Sequence, residues 1–154
     1  MSKIQTYKKE WSDIPEVAIR VKKMLYGYTL NMPCGMSRYG IINVDADKKV
    51  KPDIICDMFN PPFKRSLFDS IYCDPPWNQN IFNRYKLART LRDLIKPNGL
   101  IILNASWLLP IMYYRNICIV DVEFIVTSAG GISAISTYTK PNNEIDMKKV
   151  CHLE

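Results

Sequence analysis

Histidine is nearly absent from this chain. His152 is the only one among 154 residues and lies two positions from the end, where a solvated side chain needs no role. Five cysteines, Cys34, Cys56, Cys73, Cys118 and Cys151, are an odd number without a Cys-x-x-Cys pair. That pattern offers neither a zinc site nor a disulfide framework. No metal site is expected, and no constellation for a covalent nucleophile is present. Long apolar runs are also missing, since none approaches the ~20 residues that span a bilayer, and no membrane partner is expected. The first ten residues, Met1 to Glu10, hold no hydrophobic stretch of signal-peptide type. A cytoplasmic location is the expectation, with residues 1–154 forming one domain.

What is present is a basic, ordinary globular composition, 47% apolar and 23% charged with net charge +6, which favours a polyanionic partner mildly. The cations crowd forward: Lys3, Lys8, Lys9, then Arg20, Lys22, Lys23, then Lys48, Lys49 and Lys51. Solvated faces explain such groups as readily as nucleic acid does.

Hydrophobic periodicity predicts a helix over 14–25, capped by Asp13, with Pro15 in its first turn and a stop before Gly27. Short apolar strands are predicted at 28–32, 41–45, 53–57 and 70–73. A second helix is predicted over about 81–95, with Phe82, Tyr85, Ala88, Leu91 and Ile95 inward, stopped by Pro97-Asn98-Gly99. A fifth strand follows at 100–104, a helix-like segment near 110–115, and two β-rich runs at 117–128 and 132–140. Gly130-Gly131 between them signals an antiparallel hairpin. Asp45, Asp57 and Asp74 each close or follow a strand. In open α/β sheets, ligands bind outside those carboxyl ends.

The most informative stretch is Phe68 to Trp77, where a buried-looking strand runs into Asp74-Pro75-Pro76-Trp77. An exocyclic adenine amine is a poor nucleophile because its lone pair is delocalised into the ring. Asp74 and the Pro75 carbonyl are placed to accept its two hydrogens and draw the nitrogen toward tetrahedral geometry. The prolines fix φ and hold that carbonyl outward without a competing N–H. Trp77 offers a stacking face for an unstacked base.

Asp74-Pro75-Pro76-Trp77 resembles the fourth motif of S-adenosylmethionine-dependent amino-methyltransferases, whose adenine-N6 members carry Asp/Asn-Pro-Pro-aromatic. Asn31-Met32-Pro33-Cys34-Gly35-Met36-Ser37 looks like the family's first motif, around the methionine part of the cofactor. Asp45 matches the acid that takes both ribose hydroxyls, and Asp57-Met58 matches the pair that reads the cofactor adenine. Phe63 and Phe68-Asp69 resemble the stretch leading into the fourth strand. The similarity covers residues 28–140 and implies an α/β, Rossmann-like class I methyltransferase sheet ending in an antiparallel hairpin. It implies S-adenosylmethionine as cofactor and Asn31, Pro33, Cys34, Gly35, Asp45, Asp57 and Met58 as its contacts. Asp74 to Trp77 are then catalytic, with Asn78 and Trp107 on the substrate.

Two departures accompany the resemblance. The gaps between the first three strands are too short for full βαβ crossovers, which want a dozen or more residues, so the sheet is abbreviated. The helix over 14–25, or a homodimer partner, must cover the face left bare. The first motif also has Asn31 where the family usually has an acid. This plan is similar to compact methyltransferase-like proteins of archaea and their viruses. The function implied is N-methylation of adenine N6 in DNA, with DNA placed ahead of RNA. N-methylation of RNA, a protein amide or a small amine is the alternative, and a non-catalytic binding module with the same shell is the second.

Overall fold

The computed structural model describes residues 14–110, 116–126 and 132–142. The elements are α1 (Pro15–Met24), β1 (Thr29–Asn31), β2 (Ile42–Asp45), β3 (Ile54–Ile55), β4 (Phe68–Cys73), α2 (Ile81–Leu94), β5 (Ile95–Asn104), β6 (Cys118–Val126) and β7 (Ile132–Thr139). Seven strands form one sheet in the order β3-β2-β1-β4-β5-β7-β6. The first five are parallel to their neighbours, and β7 is antiparallel to both β5 and β6. The expected terminal pair is therefore present, while Gly130 and Gly131 lie outside the described residues.

The crossovers are abbreviated as the spacing predicts. Residues 32–41 arch from β1 to β2 without a helix, and a single 3-10 turn, Lys48–Val50, stands between β2 and β3. Gly40 lets the first arch return tightly: a Cβ there would lie 2.8 Å from the Asn31 nitrogen and 2.4 Å from the Ile42 carbonyl oxygen. Among the described residues, one helix packs on each face of the sheet. Leu87, Ala88, Leu91 and Leu94 of α2 pack in a cluster with Leu30, Ile71, Cys73, Ile101 and Leu103. On the other face Val17 and Val21 of α1 meet Tyr72, Ile102 and Ile135. The arch adds Tyr39, edge-on to Tyr72 at 5.5 Å between centroids. The N-terminal helix is thus the shield for the face that lost its crossover helices.

Several local expectations need correction. Helix α1 starts from Ile14 with no side-chain cap, and Asp13 falls outside the described residues. Strand β3 keeps only two residues. Ala88, Leu91 and Ile95 are buried as predicted, but Phe82 is exposed and Tyr85 only half-buried, while Leu87 and Leu94 are buried as well. The first turn of α2 follows the loop beyond the end of β4, so Phe82 has no core to enter. Helix α2 ends at Leu94, before Pro97, and Ile95 already pairs with Phe68. The next pairing is Ser70 with Leu100, so residues 96–99 loop out, with Asn98 at φ 59°. The helix-like segment near 110–115 falls largely outside the described residues, and Pro110 is not helical. Cys34, Cys56 and Cys73 are free thiols, whereas Cys118 is disulfide-bonded, which the scattered spacing did not reveal.

Candidate active site

The strand order reverses between β1 and β4, and the carboxyl ends there open into a cleft of about 780 Å³. Asp45, Asp57 and Asp74 all line it, together with Pro33, Cys34, Gly35, Met58, Pro75, Pro76 and Trp77. Of the seven residues expected around the cofactor, all but Asn31 reach the lining.

Gly35 sits at φ 49°, a left-handed conformation that favours glycine. Its N–H donates to Asp45 Oδ2 at 2.9 Å, and the Asp47 N–H donates to Asp45 Oδ1 at 2.9 Å. A carboxylate has about four acceptor positions. Each oxygen of Asp45 therefore keeps capacity for one hydroxyl. Asp57 Oδ1 accepts the Phe59 N–H at 2.9 Å, turning the chain after β3 so that Met58 also lines the cleft. Met32, Val44, Val50 and Cys56 supply the apolar wall between these acids.

Asn31 is fully buried and lies off the lining. Its Nδ2 donates to the Ser37 carbonyl and to Asn43 Oδ1, both at 3.3 Å. An acid here would face two acceptor oxygens without a proton to share, which accounts for an amide at this position. Asn43 in turn donates from its backbone and side chain to Asp53 Oδ2 at 2.7 and 2.9 Å. Those two bonds hold the Asp53 carboxyl below its ordinary range, the Asn43 side chain contributing most.

Arg38, which the sequence reading passed over, joins the two arches. Its Nη1 donates to the Gly35 and Ser37 carbonyls at 3.0 and 2.7 Å, and its Nη2 donates to the Val50 carbonyl and, at 3.0 Å, to that of Lys51. One planar fork thereby braces the glycine turn against the 3-10 turn. No motif marks it, because its partners are main-chain carbonyls and, at 3.6 Å, the Cys34 sulfur.

Asp74 leaves β4 half-buried, Pro75 is buried, and Trp77 is 44% exposed. The Trp77 indole N–H approaches Asp74 Oδ1 at 3.4 Å. Asn78 is exposed, and neither it nor Trp107 lines the cleft. Trp107 instead stands behind the motif, donating from Nε1 to the Trp77 carbonyl at 3.0 Å. Two further lining residues, Asn104 and Ser133, were missed; Ser133 Oγ donates to Asn104 Oδ1 at 2.7 Å. Asn104 ends β5, and its polar side chain at a strand's carboxyl end was the available signal.

Burial pushes the Cys34 thiol up to about 11, and that of fully buried Cys73 well above its ordinary value. Both are protonated at neutral pH and unsuited to nucleophilic attack. Among the described residues, no cluster of His, Cys, Asp and Glu could hold a metal ion.

No protein-family model matches the chain, and no curated protein sequence does. Solved structures do. TrmN from Thermus thermophilus superposes with a TM-score of 0.61 at 16% identity over 80% of this chain. The N-methyltransferase NodS from Bradyrhizobium japonicum WM9, solved with S-adenosyl-L-homocysteine, gives 0.63 at 11% identity over 88% of this chain and 94% of its own. The chain has the class I methyltransferase fold. It spans about half of TrmN, 47% of that chain. The fold alone does not fix the reaction: the 4+2 cyclase SpnF shares it, with a TM-score of 0.63 at 12% identity over 89% of this chain and 86% of its own.

Proposed function

We propose that the protein is an S-adenosylmethionine-dependent N-methyltransferase whose substrate is the N6 amine of adenine in DNA. The observation that supports this most is the placement of Asp74-Pro75-Pro76-Trp77. It leaves the central strand β4 into the same cleft that Asp45 and Asp57 line from β2 and β3. The donor set suits the cofactor. Asp45, braced by two backbone N–H groups, has acceptor capacity for a diol, and Asp57-Met58 offers an acceptor beside an apolar surface for a purine. When bound, S-adenosylmethionine supplies an electrophilic methyl group on a sulfonium.

The chain's own part is positioning, worth a large share of such a barrier. Asp74 accepts one amine hydrogen, and the Pro75 carbonyl accepts the other. Both contacts strengthen as the nitrogen gains tetrahedral character, so they act on the transition state more than on bound substrate. Trp77 covers the face of the base. In a duplex the adenine must first leave the stack, at about a few kcal/mol. The new N–C bond would form as the methyl–sulfur bond breaks, leaving a neutral thioether, and the surplus amine proton passes to Asp74 or to water.

The test has two stages. Calorimetric titration with S-adenosylmethionine is expected to show binding. Transfer of labelled methyl to DNA, RNA and protein pools is then expected to favour DNA. Label confined to RNA, protein or small amines would move the reading to another amine. Absence of cofactor binding would favour a shell that does not methylate, a reading supported by the same fold carrying a cyclase.

A further inference from the structure

We infer that the outward face of α2, together with the loop over residues 59–65, binds the sugar-phosphate backbone of the substrate nucleic acid; this rests on the nucleic-acid reading above. Charge along the chain is the first observation. Residues 75–92 carry four cations, Arg84, Lys86, Arg89 and Arg92, and no acid, and residues 58–68 carry Lys64 and Arg65 and no acid. Helices favour acids near their N-termini, yet the first turn of α2 has none. Apart from Asp93 in its last turn, α2 holds no acid on a protein with 15, an arrangement that is unfavourable for the isolated helix and is suited to a polyanion.

The fold then brings the two segments together. Thr90 Oγ1 donates to the Phe59 carbonyl at 3.2 Å, and a groove of about 330 Å³ lies between them, lined by Arg65, Lys86, Arg89 and Thr90. Asp93 is the one acid on this groove, and it is engaged by Arg92 at 2.6 Å and Arg65 at 3.4 Å. Among the described residues, neither Lys86 nor Arg89 is in an ion pair.

Position relative to the cleft is the third observation. Phe82, Lys86 and Arg89 follow i, i+4, i+7 spacing and share one face, turned away from the buried Leu87 and Leu91. Phe82 is 74% exposed at the end of that stripe nearest Trp77. The first turn is tied to the catalytic loop: Arg84 Nε donates to the Gln79 carbonyl at 2.9 Å, and its guanidinium lies 4.8 Å from the Trp107 ring that holds Trp77. An exposed aromatic in the first turn, five residues after Trp77, and cations further along the same face match a base-stacking contact followed by phosphates. The charges distinguish this face from β6 at the far sheet edge, which carries Asp121 and Glu123.

The experiment is fluorescence anisotropy of the full chain with labelled single- and double-stranded adenine-containing DNA across a salt series. The variants are K86E/R89E, F82A, and K22E/K23E on α1 as a charge-matched control on the opposite sheet face. K86E/R89E is expected to weaken binding tenfold or more and to lower the salt slope by about 2, one per lost phosphate contact. F82A should weaken binding roughly tenfold with the slope kept, and the control should lose little. Cofactor titration should be unchanged in all three. Equal losses in K86E/R89E and K22E/K23E would reduce the effect to net charge and overturn the surface, as would wild-type binding by K86E/R89E. Wild-type protein that binds neither DNA nor RNA, yet methylates protein or small amines, would overturn the nucleic-acid reading and the surface with it. Methylation of DNA with K86E/R89E binding intact would overturn the surface alone.

Discussion

The indole N–H of Trp107 donates to the main-chain carbonyl of Trp77 at 3.0 Å, fixing the motif loop from behind while Arg84 lies over the Trp107 ring. Trp107, expected on the substrate, thus stands off the cleft lining and holds the Trp77 main chain. Trp107→Phe keeps a ring under Arg84 and removes the donor. A net loss of about 0.5–1.5 kcal/mol follows from one such hydrogen bond. The expected outcome is a melting temperature lower by about 2–4 °C and methyl transfer reduced more than cofactor affinity. Unchanged turnover in Trp107→Phe would show that the loop is held by other contacts.

Cofactor and substrate acids should separate cleanly. Asp45→Ala and Asp57→Ala each remove a charged acceptor worth about 1.5–3 kcal/mol, hence roughly ten- to hundredfold in affinity. Asp74→Ala should retain cofactor binding and lose transfer. Calorimetry with S-adenosylmethionine on each variant, beside turnover, makes the comparison. Wild-type affinity in both Asp45→Ala and Asp57→Ala would place the cofactor elsewhere.

Arg38 carries the arches that replace two crossover helices. Arg38→Ala leaves the Gly35, Ser37 and Lys51 carbonyls without this donor, and Arg38→Lys cannot reproduce a planar fork. Both variants should raise the cofactor concentration needed for half-saturation, Ala by roughly tenfold and Lys by less, each lost charged bond being worth about 1.5–3 kcal/mol. Turnover at saturating cofactor should stay near wild type, since the bonds of Arg38 go to the glycine turn and the 3-10 turn and not to Asp74-Pro75-Pro76-Trp77. A fall in saturated turnover with unchanged affinity would reject a role in the cofactor turn.

Acid should loosen the same arches. The folded-state carboxyl of Asp53 is depressed by its bonds from Asn43. A depressed group contributes stability above its unfolded pKa and loses it as pH falls through the folded value. The melting-temperature gap between wild type and Asp53→Asn is therefore expected to be widest at neutral pH. It should close below about pH 4, the ordinary range of an unfolded Asp. A gap that stays constant into strong acid would assign the destabilisation of Asp53→Asn to something other than its charge.

Much of the architecture was legible because strand ends advertise themselves. Asp45, Asp57 and Asp74 sit where apolar runs stop, and the short spacing between the first three strands excluded crossover helices before any coordinates. Contacts that depend on three-dimensional convergence were not legible. Arg38 bonds to carbonyls that any residue carries. Asn104 meets Ser133 only because β7 folds back beside β5. The inward face of α2 held at Ala88 and Leu91 but not at Phe82, because periodicity cannot say where the sheet beneath a helix ends. Periodicity places Arg89 and Arg92 on the outer face of α2, but only the fold brings Arg65 beside Arg89 on one groove.

Trp77 discriminates most sharply among substrates. Its ring is 44% exposed at the cleft, with its N–H toward Asp74 and its carbonyl held by Trp107. If the ring stacks on a nucleobase, Trp77→Ala removes a contact worth about 1–3 kcal/mol per base. Trp77→Phe and Trp77→Tyr should then recover most of the transfer, because each still offers a π-face and the main-chain carbonyl remains for Trp107. If the ring instead plugs the loop, Phe leaves a void, and activity falls together with melting temperature. The exposure of the ring argues for the first outcome, since a plug would be buried. Labelled methyl transfer to DNA, RNA and protein pools, paired with melting curves for the three variants, separates the two. Aromatic rescue of DNA methylation at constant melting temperature is the expected result. Equal losses in Ala, Phe and Tyr, tracking stability, would remove Trp77 from substrate recognition.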